Sequence, residues 1–379
     1  MIETNTLIVG ASVAGLASAA TLQKQNIEYM VIEKQSQSAA PWRNHYHRLH
    51  LHTNKQLSNL PYKKFDSKIP RYPTRLQVVD YLDSYQKEFN INPVFNTQAK
   101  SIKKENDHWV TETTNGIFRS KYIIMATGLY NKPKPLDFKG VESFAGKMMH
   151  SCEYKTGKDF KGQKVLVVGF GNSACEIAID LVEQGAIATM SVRSPVNVVP
   201  RDILGISTLQ ISLLMSKLPS RLADSLNAPL LKVLIGDITK LGLRKKAYGP
   251  YEEIEKDGTI PLLDIGTMKH IRKGDIKIFA GIDHIEKNTV YFNDGKKENF
   301  DCIVAGIGYG VEHSKIIDVD NSRFEDLKVC VDKQKYFGKD GLYFCGFWPS
   351  PTGAIREIAL DSQKIAKDIS KKENHSSHS

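Results

Sequence analysis

Residues 6–19 read TLIVGASVAGLASA and residues 165–178 read VLVVGFGNSACEIA. Each is an apolar run, a glycine turn and a second run rich in small and aliphatic residues. In that pattern a buried parallel strand turns sharply into a helix. The turn leaves the first helical N–H groups unpaired and aims the positive end of the helix dipole at a phosphate. A chain that carries it twice is constrained to two nucleotide-type folds. The repetition continues downstream. WVTETTNGIFRSKYIIMATG (109–128) reads as a strand, an Asn-Gly turn, a strand and an apolar strand ending in Ala-Thr-Gly. TVYFNDGKKENFDCIVAGIG (289–308) repeats that order with an Asp-Gly turn and a Gly-Ile-Gly end. Both dipeptides are hairpin signals. The fold class is therefore α/β, with two Rossmann-like dinucleotide-binding domains related by a coarse internal duplication, the second inserted into the first. The expected boundaries are 1–155 with 310–370 for the first domain and 156–309 for the second, with a helical insertion at 195–265. The polar end, KKENHSSHS (371–379), reads as a disordered tail.

The 379 residues accommodate two such domains. With 41% hydrophobic and 25% charged residues the composition is that of a soluble protein. No apolar run approaches the roughly 18 residues of a membrane span. The first strand also leaves no room for a signal peptide. The expected localisation is cytoplasmic, with no integral membrane segment. The net charge of +10 comes from dispersed basic residues without an interleaved aromatic stripe, so nucleic acid is not expected as a partner. A mild positive field suits phosphate-bearing cofactors or an acidic substrate, and ordinary solvated lysines account for it equally. The five cysteines (152, 175, 302, 330, 345) form no C-x-x-C pair and no zinc cluster. His45, His47, His50 and His52 would put His50 and His52 on one face of an extended segment, but no cysteine or carboxylate accompanies them, and no metal is expected. In the insertion, Ile206, Leu209 and Leu213, then Leu218, Leu222 and Leu226, recur at helical spacing. They read as packing against the body, with an apolar lid or a membrane-surface contact as alternatives.

The two turns differ where it matters. In the first, Gly10-x-Ser12-x-x-Gly15 departs from G-x-G-x-x-G at its second glycine, and the small Ser12 can itself donate to phosphate. The next strand delivers Glu33, a carboxylate that accepts from both ribose hydroxyls and repels a 2′-phosphate. This site wants FAD or NAD. The second turn, Gly169-x-Gly171-x-x-Ala174, is followed by a strand that ends in Arg193-Ser194 and carries no acid. A guanidinium there forks onto a 2′-phosphate, which selects NADPH. Two dinucleotides in one chain imply hydride transfer between them, so the first site takes FAD. The expected cofactor-binding residues are Gly10, Ser12, Ala14, Gly15, Glu33 and Lys34 with Thr127, Gly128, Gly346 and Phe347 for FAD. For NADPH they are Gly169, Gly171, Asn172, Ser173, Ala174, Arg193 and Ser194.

Without a C-x-x-C pair a reduced flavin must pass its electrons to oxygen or a soluble acceptor. FAGKMMHSCEY (144–154) resembles the F-x-G-x-x-x-H-x-x-x-Y/F signature of class B flavin-containing monooxygenases through Phe144, Gly146, His150 and Tyr154. Within that class the chain is similar to the YUCCA-type (indole-3-pyruvate) monooxygenases over about residues 5–370. HRLHLHTNKQLSNLPY (47–62), VVPRDILGISTLQIS (198–212), GDITKLGLRK (236–245) and PLLDIGTMKHIRKGDIKIFAGI (261–282) carry much of the likeness. The plant proteins have Asp where His47 stands, the second strand end is Gly306-Ile307-Gly308-Tyr309, and Phe347 follows Gly346 where many flavoproteins have Asp. The resemblance implies that Trp42 and Arg43 contact FAD. It also implies that His52, or alternatively Asn54, is the catalytic neighbour of the flavin. The implied cycle is reduction of FAD by NADPH, then a C4a-(hydro)peroxyflavin formed with O2. That adduct oxygenates a small organic substrate: an aromatic 2-oxo acid such as indole-3-pyruvate, by oxidative decarboxylation, or a soft nitrogen or sulfur nucleophile. A reductase or oxidase without oxygen insertion, and a non-catalytic FAD- and NADPH-binding sensor, are the other readings. Oligomeric state is left open.

Overall fold

The computed structural model describes residues 1–128, 132–310, 316–318 and 337–376. The chain divides into two compact units: Met1–Asn44, Thr53–Lys132 and Gly310–Ser379 form one, and His45–His52 with Pro133–Tyr309 form the other.

In the first unit β1 (Ile2–Val9), α1 (Val13–Gln23) and β2 (Tyr29–Ile32) make the opening β–α–β element. β1 lies parallel to β2 on one side and to Gly116–Met125 on the other. The sheet continues antiparallel through His108–Thr113 and Ala99–Glu105, and Leu342–Phe344 pairs with the C-terminal half of Gly116–Met125. Leu7, Ile8, Ile123, Ile124 and Met125 are fully buried, which is why these strands read as unbroken apolar runs rather than alternating ones. α1 is buried nearly all round because the C-terminal helix Ala354–Ser376 covers its outer side, with Thr21 Oγ1 donating to the Ser362 carbonyl at 3.1 Å.

The second unit repeats the device. β3 (Lys164–Val168), α2 (Asn172–Glu183) and β4 (Ile187–Ser191) form its β–α–β element. Its sheet is wholly parallel, in the order Ile276–Phe279, β4, β3, Cys302–Ala305, Lys147–His150. The duplicated hairpins differ in detail. In the first unit the last two expected strands are one continuous strand, Gly116–Met125, and its turn residues are Thr114 and Asn115, because Thr113 pairs with Gly116. In the second unit the hairpin joins a separate three-stranded sheet with Ile282–Glu286, and Cys302–Ala305 alone enters the parallel sheet.

Four expectations are corrected. The first domain was expected to run to residue 155. Lys147–His150 instead pairs with Cys302–Ala305, so the changeover falls between Lys132 and Pro133. The histidine segment 45–52 belongs to the second unit, where the His47 N–H donates to the Lys155 carbonyl at 2.9 Å. It is a turn rather than an extended strand. At the chain end, residues 371–376 continue the C-terminal helix, held by Lys121 Nζ on Glu373 at 2.6 Å; residues 377–379 lie outside the described residues. In the insertion Ile206 is in the short strand Ile206–Ser207, while Thr208–Met215 and Ser220–Ile235 are the helices. Leu218, Leu222 and Leu226 do not pack inward: they are exposed, as are Leu230, Val233 and Leu234.

Candidate functional site

The first glycine turn is built by close approach. The Gly10 N–H donates to the Ile32 carbonyl at 2.8 Å, and a Cβ on Gly10 would lie 2.8 Å from the Ala126 carbonyl. A Cβ on Gly15 would lie 1.8 Å from the Gly10 carbonyl, so α1 rests directly on the turn. Ser12 is the N-cap of α1, yet its hydroxyl caps nothing. Glu33, only 9% exposed, reaches back to the turn: its two oxygens accept from the Ala11 N–H at 2.8 Å and the Gln35 N–H at 2.9 Å. Each oxygen keeps a lone pair for a ribose hydroxyl. Thr127 and Gly128 follow directly on Ala126, and Gly346 sits against the first turn of α1, its ideal Cβ 3.7 Å from the Ala14 side chain. Lys34 is exposed beside Glu33.

The helix carrying Trp42 and Arg43, Ala40–Asn44, is tied to the turn by the Ala39 N–H on the Ala11 carbonyl at 3.0 Å. The Arg43 guanidinium braces this helix through Ser38 O and Asp83. Two candidates have structural duties. Asn54 is fully buried and caps a short helical turn, its Oδ1 accepting from the Leu57 N–H at 3.0 Å. The Phe347 ring is fully buried in the core with Leu7, Val9 and Phe344, so as a cofactor contact its side chain is withdrawn.

The second turn has the same construction. The Gly169 N–H donates to the Ser191 carbonyl at 2.9 Å, and a Cβ on Gly169 would meet the Gly306 carbonyl at 2.4 Å. Ala174 is buried against Gly306. Gly171, the N-cap of α2, differs: a Cβ there would meet nothing within 4 Å among the described residues. The Asn172 Oδ1 accepts from the Leu263 N–H at 2.9 Å. Arg193 and Ser194 are exposed at the end of β4. The bridge between Val196 and Lys245 brings Arg244 alongside, its guanidinium donating to the Arg193 carbonyl. A basic pair thus stands where sequence spacing alone offered one arginine.

The signature segment braces this turn. His150 is buried at the end of its strand. Its Nδ1 accepts from the Cys152 N–H at 3.2 Å, so Nε2 carries the proton and donates to the Gly308 carbonyl at 3.1 Å. The Tyr154 hydroxyl donates to Asp180 at 2.7 Å, and the Gly157 N–H donates to the same oxygen at 2.8 Å. Burial first, and then the Asp180 carboxylate, push the Tyr154 hydroxyl far above its ordinary pKa, so it serves as a fixed donor.

His52 lies in the second unit, where its Nε2 is 3.1 Å from Oε2 of Glu176. The Tyr46 hydroxyl donates to the same oxygen at 2.8 Å. Arg48 approaches the other oxygen to 3.7 Å while forking onto Glu183 at 2.9 Å, which lowers the Glu183 pKa. Sequence reasoning overlooked Glu176 and Asp180. Their signal was two acids, four residues apart, inside the apolar run CEIAIDL.

A family model described as pyridine nucleotide-disulphide oxidoreductase matches residues 7–203. Indole-3-pyruvate monooxygenase YUCCA6 of Arabidopsis thaliana is 36% identical, the match covering 98% of this chain and 91% of that protein. The chain belongs to the flavin-containing monooxygenase family. Two solved structures share the fold. A flavin-containing monooxygenase from Stenotrophomonas maltophilia superposes with a TM-score of 0.71 at 16% identity, covering 98% of this chain and 99% of that one. Cyclohexanone monooxygenase from Rhodococcus sp. Phi1, bound to NADP+, gives 0.75 at 17% identity, covering 98% and 85%.

As a flavin-containing monooxygenase the chain is a flavin-dependent oxygenase, and both turns fit dinucleotides. The first pairs an unengaged serine hydroxyl with a positioned carboxylate. The second pairs open space at Gly171 with two arginines and no acid at the end of β4. Among the described residues no helix is long and apolar enough to cross a membrane.

Proposed function

We propose that this flavin-containing monooxygenase uses FAD, NADPH and O2 to oxygenate an aromatic 2-oxo acid of the indole-3-pyruvate type. The balanced reaction is 2-oxo acid, O2, NADPH and H+ giving the one-carbon-shorter acid, CO2, NADP+ and water. The observation that carries this reading is the 36% identity to an indole-3-pyruvate monooxygenase over 98% of the chain, which includes the insertion. Glu33, Ser12 and the N-terminus of α1 would hold FAD by its ribose and pyrophosphate. The N-terminus of α2 would hold the NADPH pyrophosphate, with Arg193 and Arg244 on the 2′-phosphate. Bound flavin supplies the oxygen chemistry, and the protein supplies position, dryness and fixed charge. His52 is the side chain proposed to face the reacting substrate.

The test is direct. The purified protein is checked for yellow FAD, and NADPH and O2 consumption is followed with indole-3-pyruvate, a tertiary amine and a sulfide. The expected result is 2-oxo-acid-dependent consumption, the shortened acid as product and little H2O2. Product formed only from the amine or sulfide overturns the substrate assignment, and consumption that appears wholly as H2O2 overturns the oxygenase reading. Arg193→Ala is expected to raise the KM for NADPH about 10- to 100-fold, the worth of one charge-assisted hydrogen bond, and to leave that for NADH nearly unchanged. Equal effects on the two cofactors would refute the 2′-phosphate role.

A further inference from the structure

The face of α2 that looks inward should be apolar, and most of it is: Ala174, Cys175, Ile177, Ala178 and Leu181 are buried there. Glu176 interrupts it with a carboxylate that has no solvent exposure. A buried charge persists only where partners compensate for lost water. Here the partners come from one short segment: the Tyr46 hydroxyl at 2.8 Å and His52 Nε2 at 3.1 Å on Oε2, with Arg48 3.7 Å from Oε1. The second acid of the helix, Asp180, accepts through one oxygen from Tyr154 and Gly157, while His52 bonds to Glu176.

Because Nε2 faces a carboxylate, Nε2 carries a proton, and Nδ1 is the ring nitrogen left as an acceptor. The His52 Nδ1 has no hydrogen-bond partner among the described residues, and the side chain keeps 18% exposure while the Glu176 side chain has none. His50 helps to set the backbone, its Nδ1 lying 2.6 Å from the Arg48 carbonyl.

We infer that Glu176 is the positioning residue of His52: it fixes the ring's tautomer and leaves Nδ1 as the acceptor, from the helix whose N-terminus forms the second glycine turn. The inference rests on the reading of His52 as the side chain that faces substrate. A carboxylate that fixes an imidazole in this way leaves substrate binding alone and changes the chemical step. Tyr46 shares the carboxylate and keeps it from rotating; its own hydroxyl is pushed well above its ordinary pKa by burial and then by Glu176, so it remains a donor.

A double-mutant cycle on the FAD-loaded enzyme tests this, with Glu176→Gln, His52→Gln and both together. Glu176→Gln keeps the side-chain shape, so it is the variant expected to fold. The readouts are kcat for coupled product formation, the share of NADPH oxidised to H2O2, KM for NADPH and Tm. Glu176→Gln is expected to lower coupled kcat about tenfold with KM for NADPH within about twofold, and the double variant to be no worse than His52→Gln alone, as for residues that act as one unit. If His52→Gln uncouples the enzyme while Glu176→Gln only lowers Tm, or if the two losses multiply, the positioning role is overturned and the His52 reading stands. If His52→Gln leaves kcat and coupling unchanged, the His52 reading falls first and the inference with it.

Discussion

Gly15→Ala is expected to purify without flavin and to melt well below the wild-type protein, although only one methyl group is added. The added Cβ would lie 1.8 Å from the Gly10 carbonyl oxygen and 2.9 Å from its carbon. Neither atom belongs to a side chain that can rotate aside. Gly10 cannot retreat either. Its N–H is bonded to the Ile32 carbonyl at 2.8 Å, and its own α-carbon faces the Ala126 carbonyl so closely that a Cβ there would sit at 2.8 Å. The helix must therefore move off the sheet. α1 is buried on all sides, so that displacement propagates to the C-terminal helix through contacts such as Thr21 on Ser362. Overpacking a rigid site costs about 1–3 kcal/mol, and more where backbone must shift. The same displacement carries the first N–H groups of α1 away from the place where a pyrophosphate would bind. The measurements are flavin absorbance per chain after purification and thermal unfolding. Full flavin content with an unchanged Tm would show that α1 has room to spare.

The parts of this chain that sequence made legible are those encoded locally. Each glycine turn lies within some ten residues, and strands buried on both faces announce themselves as TLIV and VLVV. The acid after the first turn and the arginine after the second follow from the length of a β–α–β unit, and the structure has Glu33 beside its turn and Arg193 exposed at its strand end. What stayed hidden depends on partners far along the chain. Tyr46 meets Glu176 across 130 positions, and no periodicity reports that pairing. The acids in CEIAIDL were a visible anomaly, but an acid in an apolar run does not say which donor it awaits. Phe347 follows Gly346 in a loop after a strand, and only the packed core decides that its ring points inward. The insertion misled for a related reason: helical spacing of leucines identifies one apolar face and leaves open what that face meets. Arg244 was visible as a basic residue, and its place beside Arg193 comes from the bridge between Val196 and Lys245.

Gly171→Val is expected to do the opposite of Gly15→Ala, sparing the fold and removing the use of NADPH. Both glycines belong to the same motif, yet among the described residues a Cβ at Gly171 meets no atom within 4 Å. Its backbone is extended, at φ −80°, where any residue is at ease. The first turn carries Ser12 at the matching N-cap position, so a side chain is tolerated by the architecture itself. Losing a glycine N-cap to an aliphatic residue costs at most about 1 kcal/mol, a small change in Tm. The space at Gly171 has another use: it lets a pyrophosphate approach the first N–H groups of α2. A branched side chain fills that space, and KM for NADPH should rise by about two orders of magnitude, the loss of two or more charge-assisted hydrogen bonds. Flavin content should be unchanged, because the first turn is untouched. Gly171→Ser, which reproduces the first turn's residue, should fall much closer to wild type. The measurements are KM for NADPH, flavin stoichiometry and Tm on the three proteins. A valine variant that turns over NADPH normally would mean that the dinucleotide does not bind against this turn, and the assignment of Arg193 and Arg244 to its 2′-phosphate would fall with it.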